Sequence, residues 1–348
     1  MLKPSIFFEQ IHSHIEKGLP FAVYRKPNSD QIVAYLQSDL SNQNDGTLSE
    51  GFLIAPFQPD EVQVVIRIDQ VLRTSWNSKR INSSFVEPKW NDIKRKEKDH
   101  IDLVKKALET INKSELKKVV LATSLMSAVH PTSSLLLFKR ILDRYRNTFN
   151  FWFSHPFCGT WLGATPELLL SMAGNRLHTM ALAGTRKKGG ADWGHKEIEE
   201  QALVVSEIKQ TISRLTSGNS NIIIENSQNK KAGAVEHILT QISAEVNATP
   251  IEVAKALHPT PAVGGVPKSA AIHFIESQEN LHRSYYAGFF GPFEAHQADW
   301  YVNLRSMRIE SQQAEVFVGG GITADSDPQS EWEELIQKAN TMGCILSK

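Results

Sequence analysis

Apolar residues recur along much of the chain at helical spacing, which predicts amphipathic helices. One such stripe near the start contains Phe7, Phe8, Ile11 and Ile15. The same pattern predicts further helices at 101–111, 135–145, 197–215, 235–246 and 269–277. A last helix is expected from Pro328, because Asp327 is a typical N-cap residue and proline is favoured in a first helical turn.

Other runs alternate apolar and polar residues or are rich in β-branched residues, which predicts strands. They lie at 21–24, 32–36, 51–57, 62–68, 118–123, 149–153, 160–163, 168–171, 177–182, 222–225, 286–290, 300–309 and 314–318. The close spacing of the runs between 149 and 182 favours antiparallel hairpins over crossover helices. Residues 72–100 are polar and basic, and we expect a surface connection there that runs into a helix. No repeat or linker divides the chain, so we predict one large α+β unit over residues 1–348.

Composition excludes several classes of protein. The 348 residues include 38 basic and 38 acidic side chains, so the chain has no net field that would attract nucleic acid or an anionic membrane. No run of about 18 apolar residues is present, and the start lacks the apolar stretch of a signal peptide. The two cysteines, Cys158 and Cys344, fit no metal-ligand spacing. These features predict a globular cytoplasmic protein.

Two of the predicted helices carry paired glutamates in their first turns. Glu197 and Glu200 are three residues apart, as are Glu331 and Glu334, so each pair shares one helix face. Acidic residues in a first turn also interact favourably with the helix dipole, which is the simpler explanation for either pair alone. If the two helices faced each other, the four carboxylates would repel one another unless a cation or protonation relieved the repulsion, and oxygen ligands suit Mg²⁺. The spacing leaves both possibilities open.

Two single ionisable residues lie beside apolar strands. Lys118 opens the strand at 118–123, where a lysine usually extends to solvent. If it is instead partly buried, its amine could be neutral and act as a general base. Glu167 follows Pro166 between two apolar strands. It is either an ordinary turn residue or, if apolar walls enclose it, an acid whose raised pKa lets it donate a proton.

Glycines, histidines and arginines also have two interpretations each. The glycine segment 319–321 could present backbone N–H groups to an anion, although a tight turn is its commoner use, and the same holds for Gly184 with Thr185. His237 is either a packing residue or a catalytic one. Arg283 and Arg305 could each hold a carboxylate, although a surface ion pair is the ordinary role of arginine.

Taken together, these segments resemble the chorismate-utilising enzymes over residues 110–345. The resemblance is carried by KVVLAT at 118–123, GATPELLL at 163–170, ALAGTR at 181–186, KEIEEQ at 196–201, LHPTPA at 257–262, YAG at 286–288, NLR at 303–305 and GGGITADSDPQSEWEE at 319–334, with KA at 338–339. The last of these motifs is the most specific. The resemblance implies a single α/β unit in which a large antiparallel sheet and helices surround a deep cleft.

The resemblance also implies roles for individual residues. Glu200 and Glu334 match direct Mg²⁺ ligands, and Glu197 and Glu331 match ligands that act through metal-bound water. In the family the metal holds the ring carboxylate of chorismate. The residues that match the substrate site are Gly184, Thr185, His237, Tyr286, Arg305, Gly321 and Lys338.

Within the family, two positions indicate the reaction. Lys118 matches a lysine that activates water, with Glu167 as the proton donor, whereas Ala183 stands where aminodeoxychorismate synthases carry a nucleophilic lysine. The resemblance therefore implies reversible, Mg²⁺-dependent conversion of chorismate to isochorismate, supplying menaquinone or siderophore synthesis. We expect a monomer in the cytoplasm. Salicylate synthase, which goes on to eliminate pyruvate, and a non-catalytic chorismate-binding subunit remain alternatives. Thr123 and Gln201 depart from the arginine and histidine that are common in the family at these positions.

Overall fold

The computed structural model describes residues 1–43, 48–77, 88–129, 134–187, 189, 192–216, 221–232 and 235–346, apart from the side chains at 185, 187, 196, 231, 232 and 235. Its helices are α1 (Pro4–Glu16), α2 (Ile93–Lys113), α3 (Ser134–Arg144), α4 (His195–Ser213), α5 (Pro250–Leu257), α6 (Lys268–Gln278) and α7 (Pro328–Leu346). None of these described helices is both long enough and apolar enough to cross a membrane.

Strands form two large antiparallel sheets. The first sheet contains, in spatial order, β14 (Gly265–Val266), β6 (Lys118–Ala128), β18 (Gln313–Ile322), β17 (Ser306–Glu310), β8 (Gly159–Thr165), β7 (Phe149–His155), β1 (Phe21–Arg25), β2 (Gln31–Leu36) and β5 (Gln70–Ser75). The second contains β11 (Ile223–Ile224), β13 (Val235–Glu245), β10 (Arg176–Lys187), β9 (Leu168–Ala173), β16 (Gln297–Val302), β15 (Phe289–Glu294), β3 (Glu50–Ala55) and β4 (Val64–Ile66), and β12 (Gln228–Ala232) also pairs with β13. The mixed class and the antiparallel pairing predicted from the sequence are confirmed, with two sheets in place of one.

Aromatic side chains of β7 show how the two sheets pack. Successive residues of a strand face opposite sides. On one side, Phe151 lies 4.2 Å from the ring of Phe290 in β15, and Phe149 lies 4.1 Å from the ring of Tyr301 in β16. These contacts join the first sheet to the second. On the other side, Trp152 packs beneath α3, so one short strand serves two parts of the core.

Two of the places where the chain passes from one sheet to the other are neighbours, and we call these two the crossings. Residues 166–167 lead from β8 to β9, and residues 303–305 lead from β16 to β17. Two backbone hydrogen bonds hold the crossings side by side: Ala164 N–H donates to the carbonyl of Arg305 at 3.1 Å, and Val302 N–H donates to that of Glu167 at 3.0 Å. Arg305 has φ +49°, a left-handed conformation that turns the chain towards the other sheet.

The predicted helix at 235–246 is wrong, because this segment is strand β13. Its apolar residues Val235, Ile238, Ile242 and Val246 are spaced as on a helix, but the burial of 240–246 alternates as on a strand. Hydrogen bonding to neighbouring strands makes this segment a strand. β13 bonds to β10 along its whole length on one side and to β11 and β12 on the other.

Other boundaries also differ from the prediction. The run at 300–309 is divided between β16 and β17, because Arg305 turns the chain from one sheet to the other. The run at 286–290 begins as a turn, in which Ala287 has φ +60°, and only then enters β15. The polar stretch 72–100 contains most of β5 and the start of α2, while 78–87 lie outside the described residues.

Truncation of Trp152 tests the packing between the first sheet and α3. Its side chain is fully buried, and its ring lies 4.8 Å from Phe21 and 5.6 Å from Phe138. We expect Trp152→Ala to lower the free energy of unfolding in urea by about 3–5 kcal/mol, the usual cost of such a cavity. The control is Phe157→Ala, whose side chain is 58% exposed; it should cost about 0.5 kcal/mol or less. Similar losses in the two variants would contradict the described core.

Candidate active site

A cavity beside the crossings is lined by residues from both sheets. Its walls include β6, β10, β13 and β18 together with the first turns of α4 and the middle of α7. Residues singled out from the sequence that line it are Glu167, Ala183, Gly184, Glu200, His237, Arg283, Tyr286, Arg305, Gly319, Gly321 and Lys338. The fold therefore brings into one place candidates that are widely separated along the chain.

Lys118 and Glu200 form a buried ion pair at this cavity. The Lys118 side chain is fully buried, and its Nζ lies 2.9 Å from Oε1 of Glu200. Lys118 belongs to the first sheet, whereas Glu200 is on α4, which packs on β10 of the second. The alternative in which Lys118 extends to solvent is thus wrong. A buried ammonium group requires such a partner, since an unpaired one would carry a large desolvation cost.

The glycine segment 319–321 leaves space for this pair. A Cβ atom on Gly321 would lie 2.7 Å from Oε1 of Glu200 and 3.0 Å from Cε of Lys118, so a side chain there would displace them. A Cβ atom on Gly320 would lie no closer than 3.7 Å to Oε2 of Glu331, which is ordinary contact. Both acidic helices, α4 and α7, therefore approach β18. Glu200 lies beside Gly321 and Glu331 beside Gly320. Consecutive residues of a strand face opposite sides, so the two glutamates approach the strand from opposite sides.

Lys338 fixes α7 to the same segment. Its Nζ donates to the carbonyl of Gly319 at 3.1 Å and lies 2.8 Å from Oε1 of Glu334. Glu331 is buried, with 4% of its surface exposed. Among the described residues, no three His, Cys, Asp or Glu side chains are close enough together to hold a metal ion. Glu200 and Glu334 each have a lysine as their cationic neighbour.

A β-bulge at Gly184 organises the opposite wall. The pairing of β10 with β13 shifts between Ala183 and Thr185, and Gly184 has φ +66°, which favours glycine. Its N–H donates to Oε2 of Glu200 at 3.2 Å, and its carbonyl accepts from Nδ1 of His237 at 3.1 Å. The Cβ of Glu197 would lie 3.1 Å from a Cβ atom on Gly184, so the bulge also faces the first turn of α4. The side chain of Thr185 lies outside the described part of the chain.

His237 and Arg305 form a second buried pair. Because Nδ1 of His237 donates to a carbonyl, its Nε2 is the acceptor for Arg305 Nη2, at 2.7 Å. Burial and the nearby Arg305 cation hold the pKa of His237 well below its usual value, so the ring is neutral. Burial lowers the pKa of Arg305 to about 10, which leaves the guanidinium charged at neutral pH. The cavity thus presents a fixed cation beside a neutral imidazole.

Glu167 lies at the first crossing with 3% of its surface exposed. Burial raises the pKa of Glu167 to about 7, although a hydrogen bond from the Thr260 hydroxyl and the charges of Lys118 and Lys230 act in the opposite direction. Thr260 Oγ1 donates to Oε1 of Glu167 at 3.4 Å. An acid with this pKa is largely protonated just below neutral pH, which is the behaviour expected from the sequence for an enclosed carboxyl group.

Tyr286 and Arg283 lie on the turn before β15, and they differ in what holds them. Tyr286 is buried and stacks on Phe317 with 5.3 Å between ring centres, and burial raises the pKa of its hydroxyl. Arg283 is engaged elsewhere. It forms a buried ion pair with Glu279 at 2.6 Å and donates to the carbonyls of Val120 and Val263. The surface ion pair suggested for Arg283 is therefore wrong, and its role is structural.

Three polar residues near the cavity were not among the predicted site residues. Thr260 holds Glu167, as described above. Gln201 is buried: its Oε1 accepts from Ala183 N–H at 2.9 Å, and its Nε2 donates to Thr240 at 2.9 Å, which ties α4 to the bulged strand. Lys230 is half-buried on β12. The first two lie in motifs quoted above, whereas the position of Lys230 depends on strand pairing.

Comparison with known proteins agrees with this arrangement. Residues 55–347 match the family described as chorismate binding enzyme. The chain belongs to this family. Isochorismate synthase MenF from Haemophilus influenzae is 29% identical over 268 residues, which cover 72% of this chain and 61% of that protein. The vibriobactin-specific isochorismate synthase of Vibrio cholerae is 30% identical over 251 residues, covering 68% of this chain and 63% of that protein.

The match to these curated relatives of the chorismate-binding family spans 61% to 63% of their length. The menaquinone-specific isochorismate synthase MenF of Escherichia coli has a similar solved structure, with a TM-score of 0.78 and 21% identity. That similarity covers 94% of this chain and 89% of the other. At this level of identity it concerns the fold.

The protonation of Glu167 in this chorismate-binding protein can be measured directly. We expect its carboxyl group to titrate at about 7, whereas Thr260→Val should raise this pKa further, because the lost hydroxyl hydrogen bond favours the charged form. Carbon-13 NMR of labelled glutamate, assigned with Glu167→Gln, gives the midpoint. Since the pKa is raised on folding, the contribution of Glu167 to stability should decrease as the pH rises from 4.5 through 7.

A matched control for this titration is Thr160→Val. Thr160 is on β8, where its hydroxyl pairs with that of Ser154 at 2.9 Å, away from Glu167. Thr160→Val should therefore leave the titration midpoint of Glu167 unchanged. A midpoint near 4.5 in the unsubstituted protein would contradict the described burial of Glu167.

Proposed function

We propose that this protein is an isochorismate synthase, which adds water to C2 of chorismate and removes the C4 hydroxyl. The observation that carries the proposal is that Glu167 and Glu200 line one cavity and that Nζ of Lys118 lies 2.9 Å from Oε1 of Glu200. A buried amine, Lys118, and a buried carboxyl group with a raised pKa, Glu167, belong to the same site. The named relatives in H. influenzae and V. cholerae carry the same activity in their descriptions. Addition of water and loss of hydroxide require one base and one acid, and both are present.

Lys118 is the proposed base. To act as a base, Lys118 first releases to solvent the proton that it carries in the ion pair with Glu200. The free amine then takes a proton from the water molecule that attacks ring C2. Glu200 at 2.9 Å and the absence of a side chain on Gly321 hold Nζ in one position. A fixed base adjacent to the nucleophile removes the entropic cost of bringing the two together.

Glu167 is the proposed acid. Protonated below about pH 7, it donates to the hydroxyl group that leaves C4. Thr260 orients the carboxyl group from one side, and the hydrogen bond from Val302 N–H to the Glu167 carbonyl fixes its backbone. General acid and general base steps each typically contribute about 10²–10⁴-fold to the rate.

The substrate carboxylates have candidate partners on the cavity wall. Arg305, with its charge fixed beside neutral His237, and the hydroxyl of Tyr286 suit the enolpyruvyl carboxylate, together with the backbone of Gly321. Gly184, which lines the cavity, and the adjacent Thr185 are the proposed neighbours of the ring, and Lys338 is the proposed neighbour of the ring carboxylate. A carboxylate in such a water-poor site is held mainly by charge-assisted hydrogen bonds.

Mg²⁺ fits the chemistry of this donor set. Glu200, Glu334, Glu197 and Glu331 offer only carboxylate oxygens, the ligands that Mg²⁺ prefers. They come from the two helices that approach β18, and because no three acidic side chains of the described residues are close enough together to hold an ion, binding would require these side chains to move together. Glu200 and Glu334 now have lysine neighbours at 2.9 Å and 2.8 Å, so a divalent ion would compete with these amines. When bound, Mg²⁺ would orient the ring carboxylate and offset its charge.

We extend the proposal to the unit as a whole. Both sheets share the aromatic core around Phe151 and Phe290, which supports one chorismate-binding unit over residues 1–348. The proposal keeps the cytoplasmic monomer expected from the sequence. Whether isochorismate serves menaquinone or siderophore synthesis depends on the enzyme that uses it, since the chemistry of this cavity is the same for both.

Product analysis tests the proposed activity. Purified protein is incubated with chorismate and Mg²⁺, and the products are separated by chromatography. We expect isochorismate alone, formed reversibly, and no product from Lys118→Ala, which should still bind chorismate because the carboxylate partners remain. Stoichiometric pyruvate with salicylate would instead assign salicylate synthase. Anthranilate formed only with added ammonia, or chorismate binding without turnover, would overturn the proposal.

Two neighbouring glycines test the proposed metal site. In Gly321→Ala the new Cβ would overlap Oε1 of Glu200 at 2.7 Å, so we expect at least about tenfold weaker Mg²⁺ binding by calorimetry, the scale of losses when a metal ligand is misoriented. Gly320→Ala is the matched control, because its nearest contact is 3.7 Å. Equal affinities in the two variants would exclude Glu200 as a ligand.

A further inference from the structure

Lys230 is placed beside the site by strand pairing. In the register of β12 with β13, Lys230 is directly opposite His237. Directly opposite residues of an antiparallel pair project from the same face of the sheet. His237 faces the cavity, so Lys230 extends on the cavity side of the second sheet.

The amine of Lys230 has charged neighbours but no close partner. Among the described residues, no carboxylate lies within ion-pair distance of it and no hydrogen bond fixes it. Glu167 and Arg305 are nevertheless near enough for their charges to interact with it, and its own charge helps to keep His237 neutral. Burial lowers the pKa of Lys230, while the Glu167 carboxylate acts in the opposite direction. The half-buried ammonium group of Lys230 therefore faces Glu167, but the two groups are farther apart than the partners of an ion pair.

The proposed reaction creates a charge that needs compensation here. When Glu167 gives up its proton, it becomes a carboxylate with 3% exposure, and such a charge is costly unless cations face it. The groups that face Glu167 are Lys118 on β6, Lys230 on β12 and the hydroxyl of Tyr286 on the turn before β15. Lys118 is already paired with Glu200. Lys230 is the remaining cation among these groups.

We propose that Lys230 is a positioning residue for proton donation, whose ammonium group stabilises the Glu167 carboxylate formed when the C4 hydroxyl leaves. The inference rests on the proposed function, because it assigns Glu167 as the donor. Lys230 acts through Glu167 and holds no part of the substrate. Its substitution therefore changes the strength of the acid and kcat, and leaves KM for chorismate unchanged.

Lys230→Met is the test, with two independent measurements. In carbon-13 NMR without substrate, we expect the pKa of Glu167 to rise by about 0.5 to 1, because a facing cation is lost. In turnover assays we expect kcat below pH 7 to fall about three- to tenfold, as one pKa unit corresponds to a factor of ten. Activity requires protonated Glu167 and is lost as the pH rises through its pKa, so this alkaline limb should move to higher pH.

Control variants separate the outcomes. Lys230→Arg should restore both the midpoint and kcat, and Lys255→Met, at an exposed position on α5, should change neither. An unchanged Glu167 midpoint in Lys230→Met would overturn the proposal, as would a loss confined to KM, which would make Lys230 a substrate-binding residue. The NMR measurement does not depend on turnover. Failure of the unsubstituted protein to form isochorismate would therefore reject the proposed function, while the titration still decides the electrostatic link.

Discussion

The ion pair between Lys118 and Glu200 is the interaction on which the site depends, because it joins the two sheets inside a cavity. Neither charge would be stable there alone. Glu200 is also held by the N–H of the bulged Gly184, and Gly321 lacks the side chain that would separate the pair. Each buried charge of this pair must keep its partner. The bulge, the glycine segment and the start of α4 together meet that requirement. Any change to one of them moves the proposed base.

The crossings explain why the proposed acid borders the same cavity as Glu200, the partner of Lys118. Glu167 and Arg305 lie where the chain leaves one sheet for the other, and two backbone hydrogen bonds hold these places together. Strand ends at such points carry side chains that are neither in the packed core nor in solvent. A carboxyl group there is buried enough to have a raised pKa and still borders a cavity. The topology thus produces both the position and the protonation of Glu167.

Much of the site was predictable from the sequence, because its residues lie in short motifs with local signals. The paired glutamates, Lys118 at a strand start and Glu167 after a proline could be selected in this way, whereas their convergence depends on pairings between distant segments. The segment 235–246 shows the limit. Its apolar spacing fits a helix, and only bonding to β10, β11 and β12 makes it a strand. Once that strand is misassigned, neither the tautomer of His237 nor the location of Lys230 can be derived.

Charge balance within the cavity constrains its chemistry more than any single residue does. Arg305, Lys338, Lys118 and Lys230 bring four cations to a region that also contains the acidic helices. A dicarboxylate and a divalent cation can enter such a site together with little change in net charge, whereas either alone would leave opposite charges unpaired. The proposed function therefore implies that chorismate and Mg²⁺ bind cooperatively. That coupling follows from the number and sign of the charges in the cavity. The net charge of the chain, with 38 basic and 38 acidic residues, gives no information about this local arrangement.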